Sequence, residues 1–477
     1  MSHPPRLTRR RLLGAVSSAA LLAGCTAGPG RNDAPETTHE PDGHSPPQTC
    51  RDGTAGSDAD GSAGGRAPDS WAEFGYDAGN TAAPAEWNGP CSGDVRWTFD
   101  GGTPTMNSSP VTQGGVVYGG GSGDPGGLFA LDAESGEVEW EVETEGYVTS
   151  APAVDGDTLY VGTWGKTFYA VDVDDGSVRW SVDVDDGSVR WSVDVGHRFG
   201  MSSPTVVDDT VYVGTLGDAP LVVSGSDDEG FAAPAVLALD AETGEERWRY
   251  DEFGERDDVS ASPAVVDGTV FVPVEGTLYA LDAGDGSVTW QRALHVHPNA
   301  SVAVRDGVVY CPTMPPRGDE ESDEPHGRLL ALDATSGETR WEATVEDLSL
   351  RTSPAVTDDS VYVAATTTTA CLATGGGDET CESTSRGRLH AFDRETGTRR
   401  WVADVEPDTR SSPAVVGDTV YLGCRNGLSA VTTEGETVFR TDFADEVYVQ
   451  SSPAVADGRV YLGASNGTLY AVGSVEY

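Results

Sequence analysis

Arg351 and Arg410 each stand three residues before the proline of a Ser-Pro-Ala-Val segment, and the same position in six related segments holds Asn107, Thr149, Met201, Ser260, Asn299 and Gln450. Two guanidinium groups flanked by amides can receive a carboxylate or another anion, because the fixed fork of N–H donors matches two oxygens at once. The plainer use of the same side chains is to pair with neighbouring Asp or Glu, and in so acidic a chain that pairing is the expectation. Other chemistry finds little support. The seven cysteines and eight histidines show no Cys-x-x-Cys or Cys/His metal-ligand spacing, so no metal site is expected. The run Asp172-x-Asp174-Asp175-Gly176 has the pattern of part of a calcium loop, but it occupies a turn that recurs along the whole chain. There is no Gly-rich phosphate loop and no serine-nucleophile elbow in a suitable context, so no catalytic residue is assigned.

The charge balance narrows the classes further. Asp and Glu total 78 against 30 Lys and Arg, a formal net charge of −48. Nucleic-acid binding needs clustered cations to neutralise phosphates, so no nucleic-acid partner is expected, and electrostatic docking on anionic lipid is disfavoured too. Lys166 is the only lysine. Acid excess with almost no lysine resembles the composition of proteins from extreme halophiles, of haloarchaeal type. In such salt, about 1 M, the Debye length is only ~3 Å and self-repulsion is screened. Hydrophobic residues at 37% with 60 Gly and 28 Pro suit short strands and many turns better than long buried helices.

The N-terminus reads as an address. Arg9-Arg10-Arg11-Leu12-Leu13 precedes an apolar stretch too short to span a bilayer, which ends at Leu22-Ala23-Gly24-Cys25. The arginines resemble a twin-arginine signal and the ending resembles a lipobox, which implies export, cleavage after residue 24 and lipidation of Cys25. The expected organisation is a signal peptide over 1–24, an acidic Gly/Pro/Ser-rich tether over 25–70 and one folded domain over 71–477. The expected place is the outer face of the cytoplasmic membrane, held by the lipid.

The elements that position the arginines come from a repeat. Ala130…Gly136…Trp140 recurs as Ala170…Gly176…Trp180, Ala238…Gly244…Trp248, Ala280…Gly286…Trp290, Ala331…Gly337…Trp341 and Ala391…Gly397…Trp401, always with the same two steps. A seventh copy, Ala430…Gly435…Phe439, is one residue shorter. The Pro-Ala-Val segments alternate with these motifs, followed by turns such as Asp267-Gly268. Each repeat predicts four short antiparallel strands, and one such sheet cannot cover both its faces alone. Stacked radially, eight of them make an all-β, eight-bladed β-propeller. The eighth motif is split: Ala471 lies near one terminus and Gly93…Trp97 near the other. Joined, they predict that the N-terminal strand completes the last blade and closes the ring, leaving no open edge.

This pattern resembles the eight-bladed propellers built from PQQ-type (pyrroloquinoline quinone) repeats, over about Trp71 to Tyr477. The resemblance implies that Trp97, Trp140, Trp180, Trp248, Trp290, Trp341, Trp401 and Phe439 dock blade on blade near the glycine. It also marks Trp71 to Thr81 as the family's leading segment. The family divides between quinoprotein dehydrogenases and non-catalytic scaffolds. The dehydrogenases typically carry adjacent cysteines and a calcium beside the quinone, and this chain has no adjacent cysteines. The expectation is a monomeric, lipid-anchored, non-enzymatic platform for protein partners, of the assembly-lipoprotein kind and without a cofactor. The alternative is an alcohol or sugar dehydrogenase using PQQ with calcium at a diverged site. Pore-mouth residues Asn107, Asn299, Arg351, Arg410 and Gln450 are the candidate ligand site. Insertions near 216–234, 315–326 and 370–387, and the tandem copy of Val171–Ser181 at Val182–Ser192, are expected as surface loops. Cys371 with Cys381 is the expected disulfide, and Cys50 with Cys91 a second candidate.

Overall fold

The computed structural model describes residues 70–84, 89–123, 126–180, 199–217, 233–254, 257–314, 327–345, 350–369, 384–444 and 446–474. The chain divides into two units, Met1–Ser45 and Pro46–Tyr477, and the first lies wholly outside the described residues. So do Cys25, the signal, the tether up to residue 69, Cys50, Cys371, Cys381 and the second copy of the tandem duplication. Among the described residues no helix is long and apolar enough to cross a membrane.

Eight antiparallel sheets form the propeller, each a blade of strands A to D from the centre outward; Ser70–Trp71 adds a fifth strand at the inner edge of blade 1, and the outer strand of blade 8 comes from the N-terminal side. Blade 4 shows the plan: Ala264–Val266, Thr269–Val274, Thr277–Asp282 and Val288–Ala293. Its A–B turn has positive φ at both Asp267 and Gly268, the geometry whose twist matches that of the flanking strands. In every blade the motif alanine pairs with the motif aromatic residue, from Ala130 with Trp140 to Ala430 with Phe439, and the register shifts just beyond it. A methyl opposite an indole leaves the ring room to lean toward the next blade.

The lean is the docking. Trp248 donates from Nε1 to Ala283 O at 2.8 Å, Trp290 to Ala334 O at 2.9 Å, Trp341 to Arg394 O at 2.9 Å and Trp401 to Thr433 O at 2.7 Å, each in the following blade. Trp97 and Trp140 make the same bond to Ala133 O and Val173 O. The side chain of Trp180 lies outside the described residues. Beneath each ring lies the motif glycine of that next blade. A Cβ on Gly286 would sit 2.6 Å from Trp248, and one on Gly397 2.5 Å from Trp341. The same blade's Tyr or Phe supports the indole from behind, as Tyr310 does Trp341 with centroids 6.0 Å apart.

Closure follows the split motif. Asp94–Asp100 pairs with Thr468–Gly473, placing Trp97 against Ala471 and making the first strand the outer strand of blade 8. The shortened seventh motif docks on the same segment, since a Cβ on Gly93 would lie 2.4 Å from Phe439. Phe439 lacks a side-chain N–H, while Tyr421 of its blade donates to Pro90 O at 2.8 Å, as Tyr212 does to Ala283 O in blade 4.

The sequence places the Ser-Ser-Pro residues inside strand A, but the strand begins only at the residue after proline, as at Ala153 and Ala264. The serines have another task. Ser203 N donates to Ser262 Oγ, Ser262 N to Ser301 Oγ, Ser301 N to Ser353 Oγ, Ser353 N to Ser412 Oγ, Ser412 N to Ser452 Oγ and Ser452 N to Ser109 Oγ, all between 2.8 and 3.2 Å. Ala151 N gives to Ser203 Oγ, but Ala151 offers no hydroxyl in return, so this ring of blade-to-blade bonds stops at blade 2.

Gly268 and Gly286 share φ of +73°, yet a Cβ meets open space at the first and an indole at the second. Gly268→Ala should therefore cost only about 1–2 kcal/mol of stability for a left-handed alanine. Gly286→Ala should cost a further ~1–3 kcal/mol of overpacking, read as midpoints in urea titrations in molar KCl.

Candidate functional site

The leading segment explains why the axial channel is a cup and not a tube. Ser70–Trp71 pairs with Val111–Gln113 of blade 1, and the chain then circles the channel. It offers oxygens to the inner-strand residue two beyond each proline position: Val154 N to Ala72 O at 2.7 Å, Val265 N to Ala78 O at 2.6 Å, Val304 N to Gly79 O at 2.7 Å, Val356 N to Thr81 O at 2.8 Å and Val415 N to Ala82 O at 2.9 Å. These inner strands have no neighbour on their axial side, and buried N–H groups need partners. At blade 3 the oxygen comes from a side chain, with Val206 N donating to Glu73 Oε2 at 3.3 Å. Asp77 holds the bend in this strap, accepting from Gly79 N and Thr81 N on one oxygen and from the Thr81 hydroxyl on the other.

Above the strap lies a cavity of about 280 Å³. Phe74 is its floor, the serine ring its lower wall, and its upper wall is the full set of eight residues from Asn107 to Gln450 that stand three before each proline position. The candidate residues Asn107, Asn299, Arg351, Arg410 and Gln450 are thus brought together. The sequence alone gave no sign of His297, which joins the wall on the loop before Asn299 and accepts from Asn299 N at Nδ1 over 3.1 Å.

Among the described residues, no Asp or Glu lines this cavity. Among the described lining residues, Arg351 and Arg410, in neighbouring blades 6 and 7 and exposed to solvent, carry full charges. The expected pairing with carboxylates is not made by Arg410: among the described residues no ion pair reaches it. In blades 2, 3 and 6 the arginine before the motif tryptophan forks between two aspartates at the far end of the blade. Arg247 takes Asp209 and Asp240, and Arg400 takes Asp359 and Asp393. These forks hold the Asp209 and Asp393 carboxyls down at about 2. Asp172 is used in the same way, accepting from Asp174 N and pairing with Arg179, so the calcium-like run is a capped turn. Among the described residues no group of three or more His, Cys, Asp or Glu could hold a metal.

Four blades round the ring from the arginines stand Thr149 and Met201. Met201 is 50% exposed, and Trp164 donates from Nε1 to the Thr149 hydroxyl at 2.8 Å. Tyr147, 44% exposed, packs on Trp164 with ring centroids 6.4 Å apart. Because strand A leaves the cup end and the sheets are antiparallel, B–C and D–A connections all return to that end. The insertions after residues 217, 314 and 369 are B–C connections and that after 180 is a D–A connection, so all four arise around the mouth. In blade 6 the insertion is not wholly loop, since Ser360–Thr369 and Thr384–Asp393 continue the ladder out to Thr369 opposite Thr384. Cys91 is disulfide-bonded, whereas Cys311 and Cys424 are buried and free.

Calcium takes oxygen ligands with carboxylates among them, and the described lining of the cup supplies none.

A family model described as outer membrane protein assembly factor BamB matches residues 88–215, 182–252, 232–378 and 385–475. The protein of that name from Moranella endobia is 25% identical over 241 residues, 50% of this chain and 54% of its own, so the chain spans about half of that curated relative. Among solved structures, BamB from Moraxella catarrhalis aligns with TM-score 0.55 and 16% identity, covering 80% of this chain and all of that one. The quinohemoprotein alcohol dehydrogenase from Comamonas testosteroni aligns at 0.61 and 15%, covering 87% and 82%. The structural likenesses show the fold.

Burial beneath the cup floor pushes the Glu73 carboxyl up from 4.5 to about 8, against the opposing bond from Val206. The folded state then holds a proton that the unfolded chain has released, so this contribution to stability is whole below pH 4.5 and is lost as pH rises through 8. Glu73→Gln keeps an oxygen for Val206 and has no charge to bury. Its Tm should match the wild type near pH 4.5 and exceed it increasingly up to pH 8, as followed by thermal melts.

Proposed function

The chain belongs to the PQQ-type repeat family described as outer membrane protein assembly factor BamB, and from that premise we propose that it is an exported, lipid-anchored, non-enzymatic platform that docks protein partners through the cup end of its propeller. The observation that carries this reading is the cup lining: among its described residues stand two arginines and no acid, and the strands on either side of every long insertion end at its rim. The opposite end has short two-residue turns such as Asp267-Gly268. Binding residues concentrate on loops held by a rigid scaffold, and here the scaffold delivers them to one end.

Export and anchoring rest on the N-terminal signal and Cys25, and the disulfide at Cys91 supports an oxidising compartment. A cytoplasmic-membrane lipid anchor would leave a tether of some forty residues between Cys25 and the propeller, room enough for the cup to face a partner. Neither a quinone nor calcium has a part in this reading.

The test places a photo-crosslinking residue at Met201 in the cup or at Asp267 on the opposite end of the full-length protein in its own membranes, in molar KCl. Discrete protein adducts are expected from position 201 and not from 267. Equal labelling from both ends would refute docking at the cup. Turnover of alcohols or sugars with added PQQ, calcium and an artificial acceptor would refute the non-enzymatic reading.

A further inference from the structure

We propose that Asn466 is a modification site: within the Asn466-Gly467-Thr468 triplet its side-chain amide carries an N-linked oligosaccharide on the rim of the cup. This rests on the export and membrane anchoring proposed above and is independent of which partner the cup takes.

An asparagine followed two residues on by serine or threonine, with no proline between, is the acceptor pattern of N-glycosylation. The chain holds three such triplets, beginning at Asn107, Asn299 and Asn466. The pattern alone decides little, because the first two follow from the plan of the propeller. Asn107 and Asn299 stand two residues before Ser109 and Ser301, whose hydroxyls belong to the blade-to-blade serine ring. Any asparagine at that place completes the triplet, whatever its use.

Access separates the three. Ser301 is 2% exposed and accepts from Ser262 N at 2.9 Å. Ser109 accepts from Ser452 N at 2.8 Å, and the Oδ1 of Asn107 is buried. Although Asn299 itself is exposed, both triplets line the cup, and a transferase cannot close round either within a cavity of about 280 Å³. Asn466 differs on each point. It is exposed, in the turn between Arg459–Gly463 and Thr468–Gly473, the second and third strands of blade 8, and such B–C turns stand at the cup end. Thr468, at the first position of its strand, is half-buried and not sealed. The Oδ1 of Asn466 accepts from Thr468 N at 3.2 Å, an Asx turn that brings the threonine close to the amide. Its Nδ2 donates to the Tyr470 hydroxyl at 2.9 Å. An amide nitrogen has two N–H groups, so one can be substituted while the other keeps that bond.

The transfer involves no oxidation or reduction. The donor is an oligosaccharide joined through its anomeric carbon to a lipid phosphate at the outer membrane face. Asn466 Nδ2 bonds to that carbon and the bond from the carbon to the phosphate oxygen breaks. The lipid phosphate leaves with the electron pair, and the nitrogen gives up one proton to base. A propeller tethered through Cys25 is held at the membrane where such donors reside.

Trypsin cuts after Arg459 and has no site beyond it, so Val460–Tyr477 is released as one peptide with a single asparagine. The experiment is mass spectrometry of tryptic digests of the full-length protein taken from its own membranes. Most copies of that peptide should carry added sugar. N466Q and T468A should each lose it entirely, the second with the asparagine still in place, and T468S should retain part of it because serine keeps the hydroxyl. Asn-Gly is also an ordinary turn pair, and this need for a hydroxyl at 468 is what a turn alone does not impose. The peptides Trp97–Lys166 and Ala293–Arg305, which hold Asn107 and Asn299, should be bare. A bare Val460–Tyr477 peptide, a sugar that survives T468A, or a sugar on Asn107 or Asn299 would each overturn the inference. Export is scored separately, as release of the propeller from intact cells by added protease. If the propeller is released and the peptide is bare, only this site is wrong; if the protein stays inside the cell, the export it rests on falls with it.

Discussion

Everything in this propeller depends on an indole lying on a glycine of the next blade. The tryptophan fixes distance, because the glycine has no Cβ to hold it off, and fixes orientation, because its N–H reaches one carbonyl just beyond. Neither bond nor contact is within a sheet. The sheets are locally determined and the ring is not, so the angle between successive blades has to be set by a contact that recurs at every interface. Eight equal settings bring the last blade back to the first, where Asp94–Asp100 is already waiting as its outer strand. The variation at blade 7 shows which parts of the contact are separable: phenylalanine keeps the packing on Gly93 without the indole bond, and the tyrosine bond across the interface, here from Tyr421, stays.

That division of labour explains how electrostatics are arranged. At the turn end, arginines are spent on aspartates that the repeat itself provides, in forks that use planar geometry more than net attraction. Lysine could not replace them there, which fits a composition with 30 basic residues of which a single one is lysine. At the cup end, the position three before proline belongs to no motif, so it is free to differ from blade to blade. The fold brings eight such free choices to one point, and the chain has placed acids at none of them. Glu73, just below, has a carboxyl that burial keeps largely protonated at neutral pH, so even this nearby acid adds little charge beneath the arginines.

How much could be read beforehand follows from the same logic. Period and spacing carried the blade count, the alanine–tryptophan pairing, the split closing motif and the membership of the ring at Asn107 through Gln450, because each is a regularity repeated along the chain. What could not be read was whatever occurs once. The strap from Trp71 to Ala82 has no repeat to betray that it walks round seven blades, nor does any pattern say that a glutamate replaces a carbonyl at Val206. The serines were visible as small residues, but their bonds run between blades, and only the assembled ring shows that Ala151 breaks the series. That Arg410 makes no ion pair among the described residues likewise depends on which acids lie nearby, a matter of three dimensions.

One sequence peculiarity acquires a handle from the fold. Lys166 is the sole lysine, and it sits in the Thr163–Thr167 turn that joins the second and third strands of blade 2, beside Trp164 at the rim. Any reagent or enzyme that modifies primary amines has, on this domain, a single side-chain address, and that address overlooks the mouth. Biotin or a dye coupled there would arrive with a defined stoichiometry and orientation, and acylation of that one nitrogen would mark whether the rim is covered.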